Sequence, residues 1–99
     1  MGTTARDSNL DDAELALVRS KYQEVSNVPQ LLRWLASRHP EMVSFDMMWV
    51  LMDAFALRLG DVGCIDGWWP PDGEAEIPDE RLHRFIAPAI EAARSTWEN

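Results

Sequence analysis

Two histidines, one cysteine and 17 carboxylates are the side chains of this chain able to move a proton, hold a metal or attack a substrate. His39, Cys64 and His83 stand far apart, with no spacing that defines a zinc site or a nucleophile beside its base. There is no glycine-rich phosphate loop, no H-E-x-x-H and no G-x-S-x-G. Acids are densest between Gly60 and Glu80, which invites a calcium reading. Counted from Asp72, the residues Asp72, Glu74 and Glu76 fall on the first three ligand positions of an EF-hand loop. Ile77 then stands in place of the required glycine and His83 in place of the bidentate glutamate, so the match fails. Asp46 and Asp53 lie seven residues apart, on nearly one side of a helix. Buried together they would make an acid–base pair. The plainer expectation is that they mark the helix's solvent strip or pair with Arg19, Arg33 or Arg58. No catalytic residue, metal ligand or cofactor is expected.

The stretch that points to function is Gly67-Trp68-Trp69-Pro70-Pro71. Two of the chain's five tryptophans stand side by side there, among acids and without a base. Adjacent side chains of extended backbone point to opposite sides. One indole is therefore expected to anchor the segment to the core while its neighbour faces out, and tryptophan is strongly enriched among binding hot spots. The alternative is that both rings pack under the loop as a satellite cluster. The expected binding site comprises Trp68 and Trp69 with Asp66, Asp72, Glu74 and Glu76.

The formal net charge of −8 is concentrated in the same place. Seven of the 17 acids lie between Gly60 and Glu80 with no base, leaving ten acids against 9 bases elsewhere. Such a field disfavours nucleic acid and anionic membranes and steers toward a basic protein. A lone Cys64 permits no intrachain disulfide and fits a reducing cytoplasm. Met1–Asn9 lacks the apolar core of a signal peptide, and Arg6 stands where a myristoylation pattern wants Ser or Thr. The most apolar stretch is short and holds two Asp residues, so no membrane span is expected.

These residues must be positioned by helices. The chain of 99 residues reads as an all-α, irregular four-helix domain over 10–99, after a flexible polar tail at 1–9. The first helix is expected from Ser8 or Asn9 to about Val25, with Leu15, Val18, Tyr22 and Val25 on one face. Asn27 is the expected cap of the second, with Pro29 in its first turn and Leu31, Leu32 and Leu35 toward the core. Arg33, Arg38 and His39 read as a solvated basic patch. The third, Ser44 to Gly60, is apolar nearly all round and is expected at the centre, enclosed by the others. Ser44 reads as its cap, Val43 and Met48 as a hydrophobic staple, and Gly60 as its left-handed terminator. Its stripe of Phe45, Met48, Trp49, Met52, Phe55, Ala56 and Leu59 is the expected core face. Met42, Met47, Met48 and Met52 read as core filling. A long loop follows over about 60–78, with turns at Ile65–Trp68 and at Pro71-Asp72-Gly73. The last helix runs from Pro78 to about Trp97, with Leu82, Phe85, Ile86, Ala89, Ile90, Ala93 and Trp97 in one phase. Pro88 is expected to kink it, any break falling at Ala87.

The leading expectation is a non-enzymatic protein-interaction module, of the inhibitor or immunity type by analogy of class alone, that binds a basic partner through the acidic Trp-Trp loop. A second is a binding protein or small enzyme for a cationic ligand, its pocket lined by Trp49, Trp68, Met52 and Phe55 with Asp53 or Asp66. A third is a homo-oligomer whose loop merely closes the interface.

Overall fold

Every apolar periodicity in the chain finds a helix, and the computed structural model, which describes residues 10–71 and 76–98, contains no strand among them. The expected tail at 1–9 lies outside the described residues. Helix α1 (Asp12–Val25) starts where the Asp11 carboxylate accepts the Glu14 N–H at 2.9 Å. It ends at Ser26, which adopts a left-handed conformation with φ 47°. Asn27 then caps α2 (Val28–Arg38) by accepting the Gln30 N–H, with Pro29 in the first turn as expected. Val28, Leu31, Leu32 and Leu35 are fully buried.

Helix α3 (Ser44–Phe55) is framed differently from the expectation. Val43 precedes it, and the Asp46 carboxylate reaches back to the Val43 N–H at 2.9 Å. That is the return half of a capping box; valine has no acceptor to supply the other half. Ser44 instead donates its hydroxyl to Asp66, and Val43, the expected staple, is exposed. The helix stops well short of Gly60, because Ala56 turns left-handed at φ 56° and ψ 44°. Such a turn costs a non-glycine residue roughly 1–2 kcal/mol. Two contacts offset it. The Leu57 N–H bonds back to the Met52 carbonyl as Leu57 is buried, and the Arg19 Nε–H donates to the terminal Ala54 carbonyl at 2.6 Å.

The expected core stripe of α3 is corrected in part. Met47, Met48, Val50, Leu51, Ala54 and Phe55 form the buried arc, whereas Phe45 is 56% exposed and Leu59, beyond the helix, 53%. Trp49 and Met52 are only partly covered. The helix is thus packed on one side by α1 and by short helices that follow it, not enclosed all round. Asp46 and Asp53 lie toward the outward side, both half-buried.

The segment expected as a continuous loop holds two single helical turns, α4 (Leu59–Val62) and α5 (Ile65–Trp68). Ile65–Trp68 is therefore a helical turn rather than a hairpin. Val62, Ile65 and Trp68, three residues apart, all face inward and are buried. Helix α6 (Asp79–Ala92) runs through Pro88, and the chain bends at Ala93 before the last turn, α7 (Arg94–Trp97). Pro88 is exposed, so water can serve the carbonyl that its missing N–H leaves free. The bend brings Trp97 against Phe55 and Tyr22, at centroid distances of 4.9 and 6.2 Å, while its Nε1–H donates to the Ile90 carbonyl. Phe85, expected inside, is 58% exposed.

The two sides of α3 give a direct test. Leu51→Ala should cost about 2–5 kcal/mol of unfolding free energy, whereas Phe45→Ala should stay within about 0.5 kcal/mol. Urea denaturation of the two variants measures the difference, and equal losses would reverse the assignment of faces.

Candidate functional site

Trp68 closes α5 and turns inward, only 2% exposed. A buried indole must satisfy its N–H, and Trp68 Nε1 donates to Asp79 Oδ1 at 2.8 Å. Asp79 opens α6, where a carboxylate complements the helix dipole. From α2, Arg33 clamps the same carboxylate with two bonds of 2.9 and 3.0 Å, and its guanidinium lies 5.2 Å from the Trp68 ring centroid. It also donates to the Pro71 carbonyl at 3.3 Å. Arg33, then the Trp68 N–H, hold the Asp79 carboxyl below its ordinary range. Trp68 thus joins α2, α5 and α6 and offers no surface to a partner.

Trp69 does differ from its neighbour, but not by pointing to the opposite side. It leaves the helical turn in extended conformation, and its ring meets Trp68 edge to face at 6.2 Å. The ring packs against the core while keeping part of its surface exposed. The Trp69–Pro70 peptide is cis. Asp66 is exposed and accepts the Ser44 hydroxyl at 3.0 Å. Glu76 is exposed too, and its N–H bonds to the Gly67 carbonyl, followed by that of Ile77. Ile77 lies so close that a Cβ on Gly67 would stand 2.8 Å from its Cδ1, so a larger residue there would push the end of that side chain aside. Asp66 and Trp69 thus stand on either side of Gly67, to whose carbonyl Glu76 is tied. Asp72 and Glu74 lie outside the described residues.

The remaining candidates serve the fold. His83 Nδ1 accepts the Val28 N–H at 3.1 Å, at the start of α2. Glu14 receives both Arg38, through bonds of 2.8 and 3.0 Å, and His39 Nε2 at 2.9 Å. The basic patch of α2 is thus committed to ion pairs rather than free in solvent. These two partners lower the Glu14 carboxyl from 4.5 to about 2. Asp46 caps α3, as described, and burial pushes the Cys64 thiol up. No group of three or more His, Cys, Asp or Glu among the described residues is arranged to hold a metal ion. No helix among them is long and apolar enough to cross a membrane.

Trp49, Trp68, Met52 and Phe55 do not come together as walls of one pocket. Trp68 and Phe55 are interior, whereas Trp49 stands on the outer side of α3. A cavity of about 490 Å³ instead opens between α2 and α6, lined by Asn27, Gln30, Arg33, Asp79, Glu80 and His83. Its Arg33 and Asp79 already face each other as an ion pair. On the outward side of α3, which Asp46 and Asp53 were expected to mark as its solvent strip, Phe45 and Trp49 meet edge to face at 5.9 Å.

No family model, curated protein or solved structure matches the chain.

Two variants separate the structural bonds. Trp68→Ala should lower stability by about 3–5 kcal/mol, the loss typical of a buried indole. Glu14→Gln should flatten the acid limb of stability. Because the folded Glu14 carboxyl titrates at about 2, below its ordinary 4.5, its contribution is complete above pH 4.5 and is lost as pH falls toward 2. Thermal unfolding from pH 6 to pH 2 checks this, and parallel curves for variant and parent would refute the role of Glu14.

Proposed function

We propose that this protein is a non-enzymatic interaction module that binds a basic protein partner through Asp66, Trp69 and Glu76. The observation that supports this best is the partly exposed Trp69 ring near the exposed Asp66 and Glu76. Asp66 and Glu76 have no ion pair among the described residues, so their field acts outward. A cationic partner would be steered to them, and the indole would supply the desolvated contact that charge alone does not. An inhibitor of a basic enzyme, in the immunity-protein manner, is the role that suits this chemistry. Lone Cys64 agrees with work in a reducing cytoplasm.

A pull-down from the source organism's lysate at low salt identifies the partner, and calorimetry on the purified pair measures affinity. Raising salt from about 50 to about 500 mM should weaken binding severalfold. Trp69→Ala should weaken it roughly tenfold or more with a smaller stability loss than Trp68→Ala. Unchanged affinity in Trp69→Ala, or affinity indifferent to salt, would rule this reading out.

A further inference from the structure

The outer side of α3 carries Phe45, Trp49 and Met52, spaced four and three residues apart. That is the spacing of a helix–helix seam, in which apolar side chains return to one line every three or four residues. Phe45 is 56% exposed, and Trp49 and Met52 are partly so. Asp46 and Asp53, seven residues apart, follow one flank of it, the position from which paired helices select partners by charge. Asp53 is half-buried on that flank, and one of its carboxylate oxygens, Oδ2, is shielded from solvent with no hydrogen bond in the fold described.

We propose that this face of α3 docks a basic amphipathic helix of a partner protein. The partner's apolar side chains would pack along Phe45, Trp49 and Met52. Its lysines or arginines, spaced seven residues apart, would meet Asp46 and Asp53. This inference rests on the reading of the protein as a binder of a basic partner and extends it from charge to shape. The two surfaces adjoin, because the Ser44–Asp66 hydrogen bond ties the start of α3 to α5. A second copy of the chain fits poorly. Antiparallel pairing of two α3 helices brings like flanks together, aspartate against aspartate, between molecules that each carry −8.

The test is an NMR titration of the full chain, isotope-labelled, at low salt. The probe is a synthetic three-heptad peptide with leucine along the seam and lysine on its flanks. A scrambled isomer of the same composition is the control. Saturable binding of the seam peptide, with shifts over Phe45–Ala56 and little response to the isomer, is expected. Trp49→Ala should weaken binding roughly tenfold and Asp53→Asn about threefold. Phe45→Ala, at an exposed site, repeats the test should Trp49→Ala unfold. Equal binding of the two peptides, with shifts confined to the Asp66–Glu76 stretch and loss only in Trp69→Ala, would overturn α3 docking and leave the basic-partner reading standing. Failure of both peptides to bind would overturn docking, and failure of the identified partner as well would remove the broader reading. A dimer in light scattering that Trp49→Ala dissociates would assign the face to a second copy and overturn the proposal.

Discussion

Burying the Trp68 indole with its N–H satisfied is the constraint on which the acidic half of this chain depends. The segment from Gly60 to Glu80 has seven acids and no base, so by itself it repels itself and gains little from collapse. One ring changes that balance. Trp68 reaches the core beside Val62 and Ile65, and its Nε1–H needs an acceptor that Asp79 supplies. Asp79 in turn needs a cation, and Arg33 comes from α2 with both nitrogens of its fork. Truncating any member leaves a partly buried donor or charge without its partner, which costs more than the contact itself contributed. The network also carries Pro71, whose carbonyl accepts a bond from Arg33 of α2.

Elsewhere the fold closes around aromatic contacts. Tyr22 from α1, Phe55 from α3 and Trp97 from α7 meet edge to face, the arrangement favoured by ring quadrupoles. Tyr22 donates its hydroxyl to Glu91, which lies in the salt bridge with Arg94. Burial and the acidic neighbour push the Tyr22 phenol well above its ordinary range, so it remains a donor through any physiological pH. This cluster fixes the C-terminal end of α3, as the Ser44–Asp66 bond fixes its beginning. The helix is thus anchored at both ends while its outer side stays partly exposed.

What could be read from the chain depended on whether the deciding interaction was local. Asn27 and Pro29 announced α2, because a cap and a first-turn proline act within four residues. Leu82, Ile86 and Ile90 announced the buried side of α6, because large aliphatic residues recur there every four residues. Phe85 misled because it stands at the margin of that arc. In α3 the apolar residues go all the way round, so periodicity could not select a face, and only Asp46 and Asp53, expected to mark the solvent strip, pointed to the outer side. Val62, Ile65 and Trp68 also carried a three-residue period, hidden among Gly60, Gly63 and Gly67. Ala56 as a helix terminator had no local signature, since its left-handed turn is compensated by Leu57 and by Arg19 from another helix. Arg33 and Asp79 are 46 residues apart, and nothing in their separation indicates that they pair.

The same pairing logic explains why the molecule's field is so one-sided. Arg33, Arg38 and Arg94 are bound within the fold to Asp79, Glu14 and the Glu91–Glu98 pair, and Arg19 is bound to a backbone carbonyl. Asp66 and Glu76 receive no such neutralisation among the described residues. Their attraction for a cation is nevertheless screened over about 10 Å at 0.1 M salt. Charge can therefore guide an approach without holding a complex together, since a solvent-exposed pair contributes only about 0.2–1 kcal/mol. Durable affinity requires apolar surface to leave water alongside those charges. Trp68 cannot provide it, being already inside. Trp69 and the outer line of α3 keep part of theirs exposed, and a basic partner of the kind proposed would have to bring apolar side chains alongside its cations.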